Sequence, residues 1–333
     1  MAAGLGLSMI LVHSLGGSLI IGFNGGCSNF TSRAFGAKNR QLFNRYLFKG
    51  CVSLCLLLAT FTLLGLSSEW LAIVFGQDPE VAAIARDFYV YQLPGFYCMY
   101  TVGLIQAYLN AQSVYKPLQY MSLATVVLHF LLSYNISSRY GMLGIIVSTN
   151  LTLLGQLLMI VYISVRYATW FPSLEHFWNG SWREGYGDYC TQCFYVGFPL
   201  YLDLFVYELL AVYVGAFKII EQTTAHVAFT NIGLQIAAPM LGVSYTSMAK
   251  ASQFIGRNDP ESFKELARRT WLLNIVSVQG LYILMWVYSE QVFSYYSEDL
   301  VVQQYMQSSL VPYFVLNCFD SLQVMGSQMY KAL

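Results

Sequence analysis

Long apolar runs broken by short polar stretches make up nearly the whole chain. They fall at about 7–30, 48–67, 88–109, 117–135, 141–164, 194–216, 226–248, 271–288 and 308–329. Each has the roughly 17–25 residues a helix needs to cross a hydrocarbon core of about 30 Å. The pattern predicts an all-α, polytopic membrane protein of about nine spans, with the lipid bilayer as its solvent. An odd number of spans puts the two ends of the chain on opposite sides.

Charge gives the direction. With the loop after the first run in the cytoplasm, that side collects Arg33, Lys38, Arg40, Arg45, Lys49, Lys116, Arg166, Arg183, Lys250, Arg257, Lys264, Arg268, Arg269 and Lys331. Only Arg86, Arg139 and Lys218 fall on the other side. Basic residues favour the cytoplasmic face, so this orientation is the expected one. The outer loops are acidic instead, with Glu69, Asp78, Glu80 and Asp87 in one and Glu290, Glu298 and Asp299 in another. An Asn-x-Ser sequon at Asn135–Ser137 lies in an expected outer loop, open to glycosylation.

Composition supports the membrane reading and narrows the chemistry. Of 333 residues, 56% are hydrophobic and 10% charged, with mean hydropathy +0.51; soluble domains carry about 25% charged residues. A net charge of zero gives no electrostatic case for nucleic acid. The seven cysteines lie mostly in apolar runs and read as buried thiols. CTQC at Cys190–Cys193 has no second pair to complete a zinc site, and no metal or organic cofactor is expected. No basic stretch precedes the first run, so no cleavable signal peptide is expected.

Residues 167–190 differ in texture, with Trp170, Trp178, Trp182, Tyr186 and Tyr189 among Pro, Gly and charged residues. Such rings favour the membrane–water boundary. The expected organisation is an N-terminal bundle over 1–166, a cytoplasmic linker over 167–190 and a C-terminal bundle over 191–333. The halves also repeat: TSRAFGAKNRQLF after the first run resembles KASQFIGRNDPESF after the seventh. An offset of 219 pairs Phe35 with Phe254, Lys38 with Arg257 and Asn39 with Asn258, and an offset of 218 pairs Pro94 with Pro312. Six spans separate the paired loops, so the two units run parallel, as in transporters that bind substrate between repeats.

Polar residues inside the runs are the candidate chemistry. The run around 196–212 holds Asp203 and Glu208, with Tyr207 four residues after Asp203 on the same helix face. A carboxylate at membrane depth costs roughly 2.5–3.5 kcal/mol on insertion scales, so such acids face polar cavities and carry function. The last run places Asn317, Asp320 and Gln323 every three residues, followed by Ser327, and reads as one polar stripe. Asn231 and Gln235 share a face of the 226–248 run. With no Lys or Arg at comparable depth in the sequence, Asp203, Glu208 and Asp320 are candidates to load and unload a proton. In the first half, Asn24 pairs with Ser28 and His129 with Ser133 at the same spacing; a lone His in an apolar run is more often a packing residue than a ligand. Tyrosines near these acids suit a lipophilic cation, and ordinary packing accounts for most of the 26.

Over essentially its whole length the chain resembles the multidrug and toxic-compound extrusion (MATE) antiporters of eukaryotes. SRAFGAKN, FGQDPEVAAIARDFYVYQLPGF, LNAQSVYKPL, LDLFVYELL, FTNIGLQIAAPMLGVS, IGRNDPESFK and FDSLQVMGSQMYK each resemble a family motif. The resemblance implies two six-helix lobes joined by a cytoplasmic linker and working by alternating access. This chain would carry helices two to ten of the twelve. Asp203 and Glu208 stand at the two acids of the seventh helix, Asp320 at that of the tenth and Asn231 at the eighth-helix Asn. Ser28 stands where many eukaryotic members carry an acid, Arg33 where they carry Gln, and Asp203 is shorter than the usual Glu. The function implied is proton- or sodium-coupled export of organic cations or amphipathic xenobiotics from a plasma, vacuolar or vesicular membrane. A lipid-linked sugar flippase, a membrane receptor and a nonfunctional fragment are the other readings. No HExxH, GxSxG or Asp-rich metal motif supports an enzyme.

Overall fold

Four helices begin on a side chain that accepts otherwise unpaired N–H groups. Asn39 Oδ1 accepts from Leu42 N at 3.0 Å and opens α2 (Arg40–Leu66). Asp78 accepts from Glu80 N at 2.9 Å and opens α4 (Pro79–Ala111). Asp259 accepts from Ser262 N at 3.0 Å and opens α9 (Pro260–Asn274). Asp299 accepts from Val301 N at 2.8 Å and opens α12 (Leu300–Ala332). Proline at the first turn of α4 and α9 adds no penalty, because that N–H has no helical partner.

The computed structural model describes residues 7–8, 11–74, 76–173, 178–217 and 219–333. A π-helical turn, His13–Gly17, leads into α1 (Ser18–Gly36). The short α3 (Ser68–Val74) lies between α2 and α4. Next come α5 (Lys116–Leu132) and α6 (Ser138–Tyr167). The second half adds α7 (Tyr186–Ala216) and α8 (Ile220–Gly256). A π-turn, Ile275–Gln279, joins α9 to α10 (Gly280–Val287), and the short α11 (Ser289–Tyr296) precedes α12. Each of the nine expected spans falls on a helix, and no strand occurs among the described residues. Four stretches among them are long and apolar enough to cross a membrane: Arg40–Leu66, Lys116–Tyr167, Ile220–Gly256 and Pro260–Val287. The second is 52 residues long, and Gly141 (φ 56°, ψ −129°) folds it into the two expected spans.

That fold corrects one sequence expectation. Asn135 of the sequon sits in a π-helical turn, Ser133–Ser137, its amide donating to Leu131 O at 2.7 Å. An asparagine engaged inside a helix is not the extended loop that glycosylation needs.

The duplication is real, but its register differs from the expected one. Lys38 (φ 56°) and Asn258 (φ 55°) hold the same left-handed turn. Lys38 N donates to Phe35 O and Asn258 N to Ile255 O; Asn39 N donates to Ala34 O and Asp259 N to Phe254 O. The offset here is therefore 220, pairing Asn39 with Asp259. Further on, α3 begins at Ser68 and α11 at Ser289, while α4 and α12 are each 33 residues long with caps Asp78 and Asp299. That offset is 221. Pro94 and Pro312 consequently occupy positions three residues apart in their helices, so the proline match was a coincidence of spelling.

By packing, the chain forms two units that meet inside α7, the first reaching Leu204 and the second running Phe205–Leu333. The first thus extends past residue 166 and takes in the segment before α7. Gln112 Oε1 accepts from Thr169 N and Trp170 N, both at 2.8 Å, and Trp170 packs against Phe35 and Phe43 at 4.7 and 5.4 Å. At the other end Lys49 Nζ donates to Glu184 O at 2.6 Å, and Arg45 pairs with Glu184 at 2.9 Å. The start of α7 lies on α1, where Gly22 and Gly197 bring the two backbones together without side chains and Tyr201 donates to Ser14 O at 3.0 Å.

Candidate functional site

In the second unit, a polar network lies at the seam between α9–α10 and α12. Tyr282 OH donates to Asn317 Oδ1 at 3.0 Å, and Asn317 Nδ2 donates back to Tyr313 O at 2.8 Å. One turn along, Gln279 Nε2 donates to Ser321 Oγ at 2.8 Å, and Asn274 Nδ2 to Ser321 O at 3.1 Å. Tyr313 OH donates to Phe229 O of α8 at 2.6 Å, filling the space that the missing side chain of Gly233 leaves. Asn317, Ser321 and Asn274 are buried. Side-chain hydrogen bonds inside a membrane contribute roughly 0.6–1.7 kcal/mol each, and a buried polar group left without one costs about 1–3 kcal/mol.

Asp320 lies on α12 between Asn317 and Ser321 and is half-buried. Asp320 and Tyr207 both lie within electrostatic reach of the Tyr282 and Tyr313 hydroxyls. The second unit thus brings together four expected or nearby groups: Asp320, Asn317, Tyr207 and the tyrosine pair. Asp203 is half-buried on α7 within the first unit. The side chain of Glu208 lies outside the described residues.

Other expected members separate. The stripe on α12 does not hold: Asn317 is buried while Gln323 is exposed. Steps of three residues lag a helical turn by about 60° each, so Gln323 has rotated some 120° from Asn317. Asn231 and Gln235 are both exposed on α8, and Gln235 Nε2 donates to Tyr296 OH at 2.9 Å. His129 stands 3.2 Å from Thr152 Oγ1 through Nδ1 and 3.4 Å from Ser133 Oγ through Nε2, which ties α5 to α6. That is a packing role. Asn24 is buried and donates to Tyr100 O at 3.1 Å.

Gln279, Tyr282 and Asn274 were not among the expected site residues. The step of five from Asn274 to Gln279 turns about 140° round a regular α-helix, so the two share no face of one. A π-turn needs about one more residue per turn, so the turn at Ile275–Gln279 brings Asn274 and Gln279 onto Ser321 together.

The MatE family model matches residues 2–135 and 197–333. Protein DETOXIFICATION 56 of Arabidopsis thaliana is 23% identical over 286 residues, covering 83% of this chain and 57% of its own length. Multidrug and toxin extrusion protein 2 of Pongo abelii is 20% identical over 343 residues, covering 95% and 57%. The crystal structure of the eukaryotic MATE transporter AtDTX14 superposes with a TM-score of 0.88 at 16% identity, over 99% of this chain and 74% of that one. The chain therefore spans little more than half the length of these curated relatives.

Proposed function

The chain belongs to the MatE family, and from that premise we propose that it is a secondary active antiporter, exporting organic cations or other amphipathic solutes in exchange for protons. One relative is named for multidrug and toxin extrusion, and the matched segments of this chain lie in both repeats. The observation that carries the reading is Asp320, a half-buried carboxylate on α12 set beside buried amides and tyrosine hydroxyls. Such a group is costly to keep at membrane depth unless it works there.

In the proposed cycle, Asp320, Asp203 or Glu208 in its charged form binds the cation from the inside. Tyr207 and neighbouring rings contribute cation–π attraction. Protonation from the outside removes the negative charge, lowers affinity and releases the cation; the protonated carrier returns inward, loses its proton and repeats. Sodium would serve the same cycle, since carboxylate and carbonyl oxygens suit a hard cation.

The test is efflux of a fluorescent organic cation from proteoliposomes of the purified chain under an imposed pH gradient. Gradient-driven efflux is expected, with Asp203→Asn and Asp320→Asn each slowing it at least about tenfold, equivalent to one pKa unit of lost coupling. Efflux that persists in the double variant overturns the reading. A sodium gradient in the same vesicles decides the coupling ion.

A further inference from the structure

The single residue gained between the two repeats has a definite place. At their starts α2 and α9 are 220 residues apart, for Phe43 N donates to Asn39 O and Phe263 N to Asp259 O. At the far end the separation is 221, for Ser67 N donates to Leu63 O and Tyr288 N to Leu284 O. Between these points the first repeat is continuous α-helix, while the second contains the π-turn Ile275–Gln279. A π-turn is what one inserted residue makes of an α-helix, and such turns are frequent at functional sites.

Beyond the insertion, Leu58, Phe61, Phe96 and Tyr100 of the first repeat match Gln279, Tyr282, Asn317 and Ser321 of the second, and Met99 matches Asp320. So the inserted residue, the polar substitutions and the acid all occur in the same repeat and at the same level. Asn317 and Ser321 are three residues before and one after Asp320, and each is held by a side chain that the π-turn delivers.

We propose that Gln279 and Tyr282 are positioning residues that hold α12 around Asp320 and thereby set its proton affinity. The inference rests on Asp320 being a coupling carboxylate, as argued above. Among the described residues, the titratable groups around Asp320 include Tyr282 from α10, Tyr313 and Cys318 from its own helix and Tyr207 from α7. On α8, Ile236 and Ala237 pack in the same cluster as Tyr313. Glu221, His226, Tyr245 and Lys250 stand two turns or more from them along that helix. On α9 the charges end at Arg269, ten residues before Gln279.

The experiment follows the carboxylic acid C=O absorbance of the purified chain in lipid by infrared spectroscopy over a pH series. The band that Asp320→Asn removes reports Asp320, and its midpoint is compared in Tyr282→Phe, Gln279→Leu and a deletion of Val278 that straightens the turn. Expected is a midpoint shift of at least about half a pH unit in both point variants, a roughly threefold change in proton affinity. Phe61→Leu in the first repeat is expected to leave it in place. A midpoint unmoved in folded Tyr282→Phe and Gln279→Leu overturns the proposal, as does the absence of any band sensitive to Asp320→Asn. Should the deletion fail to fold, the two near-isosteric variants still decide. Vesicles that never exchange protons for a cation, alongside a midpoint that moves with Tyr282→Phe, remove the antiport reading and leave only the control of Asp320's proton affinity by Tyr282 and Gln279.

Discussion

Around Phe61 in the first unit, α2 meets α4 through a cluster of rings; at the matching level of the second, α9–α10 meets α12 through amides and hydroxyls, with ring contacts to Phe314 beside them. Phe61 packs edge-on against Phe96 at 5.7 Å and Tyr100 at 5.6 Å, and Tyr89 lies 5.1 Å from it. At the matching positions stand Tyr282, which donates to Asn317, and Ser321, which accepts from Gln279. The backbone plan is shared down to the caps and the 33-residue helices. What changed is the currency of attraction. Ring contacts add about 0.5–1.5 kcal/mol each and tolerate small shifts. A buried amide network holds only while every partner is in place, which ties register to chemistry.

The comparison breaks most visibly if the ring seam proves dispensable. Phe61→Ala removes the ring at the centre of four aromatic residues, and about 3–5 kcal/mol of stability is expected to go with it. Tyr282→Phe deletes only one hydrogen bond from a seam that keeps its shape, so a loss of about 1 kcal/mol is expected. Thermal unfolding in detergent ranks the two. Equal losses would mean that the two seams are not different in kind.

Glycines sharpen the same contrast at a smaller scale. A Cβ at Gly65 would meet the ring of Tyr89, which is fixed by its hydroxyl bond to Phe61 O. Its counterpart in the second unit is Trp286, packed on Phe314 at 5.4 Å, while Leu310 takes the place of Tyr89. Large and small have exchanged across the interface. Gly65→Ala is expected to cost about 1–3 kcal/mol by overpacking, and Gly233→Ala a similar amount by pushing the Tyr313 hydroxyl off Phe229 O. Tyr89→Leu, which removes the ring, is expected to relieve Gly65→Ala; if an added Leu310→Ala relieved it as well, the two interfaces would not be independent.

Much of this was legible in the sequence because apolar run length is a property of composition: the nine runs fall on helices, and among the described residues five of them lie in stretches long and apolar enough to cross a membrane. The repeat was legible too, since loops that need the same turn keep similar residues around Lys38 and Asn258. Its register was not. An inserted residue leaves no mark in the text, and only hydrogen bonds reveal that Ile275–Gln279 absorbs it. For the same reason Asn274, Gln279 and Tyr282 read as scattered polar residues on a presumed α-helix. Gln323 was the converse case: a spacing of three looks like a stripe over one step and drifts off the face over two.

The smallest expected effect lies at the two loops that first disclosed the duplication. Asn39 and Asp259 cap α2 and α9 in the same way, but only one of them titrates. The hydrogen bonds from Ser262 hold the Asp259 carboxyl below its usual value of 3.8, with the Arg257 charge a lesser cause. A carboxyl depressed on folding stabilises the protein above its unfolded value and loses that contribution as pH falls through the folded one. The second unit should therefore soften slightly in acid at this cap, below about pH 4, and the first should not. Asp259→Asn is expected to remove the acid sensitivity at neutral cost, and Asn39→Asp to introduce it at α2. Amide exchange of the first turn of each helix, followed from pH 6 to pH 3, reads the two caps separately. Equal acid sensitivity of both caps in the unaltered chain would show that the carboxylate at Asp259 adds nothing an amide does not.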